Sequence, residues 1–350
     1  MNHVAIDLGG RESQICVRGA DGTILEEKRH ATRSLGKLMK QWPPSRIILE
    51  TSAEAFRVAD AAKAAGHEVR VVAATLVKTL GVGARGIKTD RRDAQTLSEV
   101  SCRIDLPSVH IPTPASRELK SMCGAREELV EVRTKLVNNV HGWLRGQLWR
   151  IRSGVPATFP ERVRTHASSL SAELPPHVAR NLEVIELVSQ QVRAADAQLR
   201  ETVKADATCR NMMTIPGVGP VTAARFRAAL DDVTRFQSAH AVQSYLGLAP
   251  GEHSSSERQR RTGVTKAGPA AVRRMLIQGA WAAFRMRPNE PMVQWARTIA
   301  ERRGKYIAIV ALARKLAGIM FALWRDGTTY RPARSATKTT AESTGTAATM

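Results

Sequence analysis

Two aspartates three residues apart, Asp90 and Asp93 in GIKTDRRDAQTLSEV (residues 86–100), head a helical stretch in a basic surrounding. Residues at i and i+3 of a helix share a face, so the two carboxylates point together. Two further acids close short apolar runs: Asp7 ends HVAID and Glu50 ends RIILE. If those runs are adjacent strands of one sheet, both side chains emerge at the same edge. Four carboxylates at one point repel one another unless cations sit between them. Hard oxygen ligands suit Mg²⁺, with Mn²⁺ equally acceptable to the same donors. Two such ions about 3.5–4 Å apart stabilise both the attacking and the leaving oxygen in phosphodiester chemistry. Taken singly, each acid says little, because an Asp pair opening a helix also complements the helix dipole with no further role. The order of the four carries the signal.

Two other stretches bear on phosphate. In TIPGVGPVTAARFRAAL (residues 214–230), Gly217 and Gly219 form a tight turn ahead of a helix. Backbone N–H groups there can approach an anion, as in helix-hairpin-helix modules that hold nucleic-acid backbone without reading sequence; a plain structural turn is the alternative. In GLAPGEHSSSERQRRTGVTKAGPAAVRRML (residues 247–276), three serines stand among Arg258, Arg260, Arg261, Lys266, Arg273 and Arg274. Arginines clamp a phosphate bidentately and stabilise charge on its non-bridging oxygens, leaving a serine hydroxyl to attack. A solvated serine loop is the alternative reading.

The elements that must position these groups follow from periodicity. HVAID, SQICVRG and TILEEKR read as a three-strand meander with a turn at Asp21-Gly22. A short helix SLGKLMKQW, the strand RIILE, an Ala-rich helix ending at Gly66 and the strand HEVRVVA follow. Hairpin-connected strands succeeded by βαβ units predict an α/β fold, an RNase H-like (resolvase-like) mixed sheet flanked by helices. From Thr113 the pattern turns helical, with Leu119, Met122, Leu129, Leu136, Val140 and Trp143 on one side. Val178, Ile185, Val192 and Leu199 recur every seven residues, with Leu182 and Val203 beside them, as a short coiled-coil seam requires. Those heptads suit a dimer seam or an intramolecular helical hairpin equally. A further globular unit runs from about Thr208 to Tyr330, and the Thr/Ala/Ser-rich tail after it reads as disordered.

The chain carries 53 Lys+Arg against 32 Asp+Glu, a formal net charge of +21 over 350 residues, and so attracts polyanions, nucleic acid first. Cys16, Cys102, Cys123 and Cys209 lie far apart without a CxxC pair. That spacing excludes a zinc ribbon or disulfide framework and suits small buried hydrophobes in a reducing compartment. The N-terminus meets an acid after six residues, unlike a secretory leader. The apolar YIAIVALARKLAGIMFALW is interrupted by Arg314 and Lys315, which predicts a packed helix and no membrane partner.

The succession AID, ILETS, KTDRRDA, IPGVGPVTA, LGLAPGEHSS and VTKAGPAAVRR resembles the DEDD-type insertion-sequence transposases of the IS110 family, understood as bridge-RNA-guided recombinases. The resemblance spans residues 1 to about 330. It implies an RNase H-like DEDD domain at 1–112, a helical coiled-coil region at 113–205, a mainly helical transposase domain with a helix-hairpin-helix-like motif at 206–330, and a disordered tail at 331–350. By position, Asp7, Glu50, Asp90 and Asp93 match the acidic tetrad that would hold Mg²⁺, and Ser255 matches a catalytic serine that would link covalently to DNA. Ser256 and Glu257 follow where glycine is frequent in the family, so Ser254 and Ser256 remain alternatives. The implied activity is excision and insertion of the chain's own element by DNA strand exchange. The implied partners are donor and target DNA, a structured guide RNA and further copies of the chain, as a dimer or tetramer, at the bacterial nucleoid in the cytoplasm. A junction-resolvase-like two-metal nuclease would need the tetrad without the serine, and a non-enzymatic nucleic-acid-binding protein would need neither.

Overall fold

The computed structural model describes residues 1–79, 89–252 and 261–332. All but the first two residues of the tail expected to be disordered lie outside that set. The chain forms two compact units, Met1–Thr113 and Pro114–Met350.

In the first unit, β1 (His3–Asp7), β2 (Glu12–Arg18) and β3 (Ile24–Ala31) form the antiparallel meander. The helix α1 (Leu35–Met39) leads to β4 (Arg46–Glu50), then α2 (Ala55–Ala64) and β5 (Glu68–Val72). Two more helices, α3 (Ala74–Thr79) and α4 (Asp90–Arg103), complete it. The strand order is β3-β2-β1-β4-β5, with β1 and β4 parallel and β4 and β5 parallel. This five-stranded mixed sheet is consistent with an RNase H-like fold.

Strand alternation divides the core between the two sheet faces. Val4, Ile6, Ile15, Val17, Ile47, Leu49 and Val71 face α1 and α2, where Ala55, Val58, Ala59 and Ala62 supply a buried stripe at i, i+3, i+4 and i+7. Ala5, Ile48 and Val72 face the other way, against Val77 of α3 and Leu97 of α4. Covering both faces explains why RIILE reads as a near-continuous apolar run.

In the second unit, α5 (Pro114–Gly146), α6 (Phe159–Ser169) and α7 (Pro176–Ala205) come first. Arg126 Nε donates to Asp196 at 2.7 Å and Asn181 Nδ2 to Asn139 at 3.0 Å, a pairing that runs α5 and α7 antiparallel. The heptad residues of α7, Val178 to Val203, are at most 4% exposed. They are buried inside the chain, as an intramolecular hairpin requires, and that seam offers no surface to another copy.

The remainder comprises α8 (Ala207–Met213), α9 (Pro220–Leu230), α10 (Ala239–Tyr245), the paired strands β6 (Pro250–Glu252) and β7 (Arg261–Val264), α11 (Ala270–Met286), α12 (Pro291–Arg303) and α13 (Lys305–Asp326). By length and composition α13 could cross a membrane. Instead Leu312, Leu316, Met320 and Phe321 pack with Leu276, Phe226 and Leu230 in the largest core of the molecule. Its interrupting charges are accommodated locally: Arg314 Nε donates to Gln243 Oε1 at 2.8 Å, and Lys315 Nζ stands 4.3 Å from the Trp295 ring centroid. It is the central helix of this core.

Candidate active site

Asp7 and Glu50 are the last residues of β1 and β4, parallel neighbours whose register pairs Ile6 with Leu49. Asp7 shares the face of Ala5, and Glu50 that of Ile48, so both lie on the face covered by α4. The docking of α4 decides what joins them. His3 Nδ1 lies 2.8 Å from Ser101 Oγ, and Ala5 shares a core cluster with Leu97. Two strand residues rise about 6.6 Å and four helix residues about 6 Å, so Asp93 is the next step on α4 of the progression in which Asp7 is the next step on β1. Asp93 is only 3% exposed, on the stripe of Ala94, Leu97 and Ser101 that meets the sheet. Asp90 heads that stripe one turn earlier and is exposed.

The remaining contacts of α4 hold this alignment. Ser98 Oγ donates to Cys16 Sγ at 3.3 Å and receives Arg18 Nε at 3.2 Å. Gln95 Nε2 donates to Glu27 Oε1 at 2.7 Å, and Arg91 Nη2 to Glu27 Oε2 at 2.6 Å. These hydrogen bonds, led by Arg91, hold the Glu27 carboxyl below its ordinary range although desolvation pushes the other way. Thr89 caps the helix, its hydroxyl accepting from Arg92 N at 3.3 Å, so the first turn that carries Asp90 and Asp93 starts at a defined residue.

Sequence reasoning passed over several positioning groups. Thr51 N donates to Val72 O at 2.9 Å and its hydroxyl accepts from Ala74 N at 3.0 Å, which sets the chain leaving Glu50. Beyond Asp7, a Cβ at Gly9 would sit 2.3 Å from the Glu12 carbonyl oxygen, and Gly9 O accepts the Thr32 hydroxyl at 2.6 Å. The glycine pair in AIDLGG and the Thr before Asp90 were the available signals.

Asp7 and Glu50 thus end neighbouring strands on the sheet face that α4 covers, Asp93 lies on the buried side of α4, and Asp90 is exposed at its start. Among the described residues, however, no three His, Cys, Asp or Glu side chains approach closely enough to hold a metal ion. Carboxylates without a cation between them repel, and the all-oxygen donor set fits a hard divalent ion drawing them together.

The second group of predicted residues divides. Ser254, Ser255, Ser256, Arg258 and Arg260 lie outside the described residues, between β6 and β7, whose register pairs Glu252 with Arg261. Lys266 is exposed with a left-handed φ of 56°. Arg273 Nη1 donates to Leu246 O at 3.0 Å, and Arg274 ion-pairs with Glu127 at 2.8 Å and Glu131 at 3.4 Å, so both have structural partners within the chain. Gly217 has φ 86°, and a Cβ there would lie 2.3 Å from Gly279 O of α11; its glycine is explained by that close approach. Gly219, the N-cap of α9, has open space around its Cβ position. Three of the four cysteines are buried and Cys102 partly so; burial pushes the Cys209 thiol up to about 12, leaving it inert at neutral pH.

Strand-end and helix-start carboxylates on a mixed sheet, in a chain of net charge +21, are the features of an enzyme that acts on nucleic acid. Comparison with known proteins makes it specific. A family model described as a transposase of the DEDD, IS110 type matches residues 4–148, and one described as the transposase IS116/IS110/IS902 family matches residues 209–294. A probable family 20 transposase of Pseudomonas aeruginosa is 28% identical over 95% of this chain and 99% of its own length. The transposase for insertion sequence element IS1111A of Coxiella burnetii is 32% identical over 70% of this chain and 68% of its own. The transposase for IS1328 of Yersinia enterocolitica is 26% identical over 93% and 98%. The chain belongs to the IS110 family of DEDD-type transposases and is a DNA transposase. DEDD domains of this type generally use divalent metal ions.

Proposed function

We propose that the protein excises and inserts its own insertion sequence by DNA strand exchange, with Asp7, Glu50, Asp90 and Asp93 as the metal-holding acids and Ser255 as the nucleophile. What supports this reading is that Asp7 and Glu50 end the parallel neighbours β1 and β4 on the sheet face against which α4, headed by Asp90 and Asp93, packs through Leu97 and the His3–Ser101 hydrogen bond. Mg²⁺ held by these acids would neutralise charge developing on a scissile phosphate. The Ser255 hydroxyl would lose its proton as its oxygen bonds to phosphorus. The bond from phosphorus to one deoxyribose oxygen would break, and that oxygen would leave protonated. Attack by the hydroxyl of the exchanged strand would reverse these steps and free the serine. Arg258, Arg260, Arg261 and Lys266 are the cations assigned to the phosphate, with Gly219 at the start of α9 contributing backbone N–H groups; the partners already made by Arg273 and Arg274 give them a scaffolding share. A structured RNA from the element would pair with donor and target DNA, so that base pairing supplies sequence choice and the basic surfaces hold backbones. Two cleavage centres are needed for exchange, hence an oligomer built through a surface other than the α7 seam.

A plasmid excision assay with Ser255→Ala and, separately, Asp90→Asn tests the assignment. Loss in both is expected, together with a DNA adduct on denaturing gels that Ser255→Ala abolishes. Loss in the aspartate variant alone would make the protein a two-metal nuclease, and full activity in both would remove both sites from the chemistry.

A further inference from the structure

A second surface, on the other unit of the chain, has chemistry that the strand-exchange reading leaves unused. Trp281 lies in the penultimate turn of α11, and Lys305 and Tyr306 open α13 across the Gly304 junction with α12. The Trp281 and Tyr306 rings meet edge-on, centroids 6.0 Å apart at 78°. Lys305 Nζ lies 5.3 Å from the Trp281 centroid and the Arg285 guanidinium 5.8 Å from it. Tyr306 is 81% exposed and Met286 76%. Among the described residues, Arg285, Arg287, Arg297, Arg302, Arg303 and Lys305 form no ion pair with a carboxylate.

From this we infer that the surface around Tyr306 is a stacking platform for an unpaired nucleotide of a single-stranded nucleic-acid segment, with Lys305 and Arg285 on the flanking phosphates. An aromatic ring left four-fifths in water contributes little to the fold, whereas a base stacked on it removes both rings from water. Six cations without acidic partners complement phosphates. They repel a second copy of a chain whose net charge is +21, which argues against a subunit interface here. Bases inside a duplex are stacked on one another and cannot reach Tyr306, so the ring selects unpaired strands while the cations serve both forms. The inference takes from the preceding reading only that nucleic acid is the partner; it does not use Ser255 or the acids.

Binding of the full chain to a labelled single strand, as RNA and as DNA, and to the duplex of the same sequence, measured in EDTA, tests it apart from catalysis. Tyr306→Ala is expected to weaken single-strand binding about tenfold, equivalent to about 1.4 kcal/mol, and duplex binding less than about twofold. Tyr306→Phe, which keeps the ring, is expected to bind as the parent does, whereas Tyr306→Leu, which keeps bulk without it, should behave like Ala. Removing Lys305 and Arg285 charges as Gln should flatten the single-strand salt slope by about 0.7 per cation. Whichever of RNA and DNA loses more identifies the strand. Unchanged single-strand binding in Tyr306→Ala, or equal loss on duplex, would overturn the platform. A changed sedimentation coefficient of nucleic-acid-free Tyr306→Ala would make the face a subunit interface, and loss confined to phosphatidylserine vesicles would make it a membrane surface.

Discussion

At the scale of single residues, the proposed centre is a problem of bringing like charges together. Glu50 is half-buried at a strand end and Asp93 is almost wholly buried under α4. A carboxylate is costly to bury without positive charge nearby, so the proposed cation would lower the energy of the arrangement as well as serve the reaction. Glu50→Gln preserves size and removes one charge. It is expected to reduce strand cleavage by at least about a hundredfold, roughly 2.7 kcal/mol of barrier, and to weaken Mg²⁺ binding in calorimetry, while the melting temperature stays close to that of the parent. Metal affinity unchanged in this variant would take Glu50 out of the ligand set.

At the scale of elements, α4 is the part whose placement matters most, because its contacts to β1, β2 and β3 set where Asp90 and Asp93 stand. Leu97 is 1% exposed and is the apolar anchor of that docking. Leu97→Ala should destabilise the first unit by about 2–5 kcal/mol and lower activity along with it, measured by denaturant unfolding and cleavage at matched folded fraction. The Glu27 cluster adds a pH dependence. Its carboxyl is depressed in the folded state, so its contribution is complete above the unfolded value of 4.5 and is lost as pH falls through the lower folded value. Melting curves from about pH 6 down to about pH 3 should therefore show an acid-side loss that Glu27→Gln lacks. A variant slope identical to the parent's would mean that α4 is held by its apolar contacts alone.

At the scale of the whole molecule, the charge of +21 governs encounter with DNA. Neutralising six to ten phosphates releases counterions, so duplex affinity is expected to fall about 10³- to 10⁵-fold between about 50 and 200 mM salt. A fluorescence titration over that range measures the slope, and a slope near zero would show that the basic surface is not what meets DNA.

Local pattern alone made much of this protein legible. The five strands, the Ala-rich helix α2, the helical stretch headed by Asp90 and the interrupted apolar run of α13 all follow from periods of 2 and 3.6 that neighbouring residues settle among themselves. The order of acids along the chain was likewise visible in HVAID, RIILE and KTDRRDA. Only the tertiary structure decided how those pieces meet. How α4 docks against β1 depends on contacts such as His3 with Ser101, 98 residues apart in sequence. That the α7 heptads are buried within the chain depends on α5, and the need for glycine at 217 depends on the Gly279 carbonyl of α11. The pairing of partly buried Trp281 with exposed Tyr306, from two different helices, had no trace in either helix's own pattern. Periodicity records which side of an element avoids water; it does not record which distant element will cover that side, and sites are made where two such elements meet.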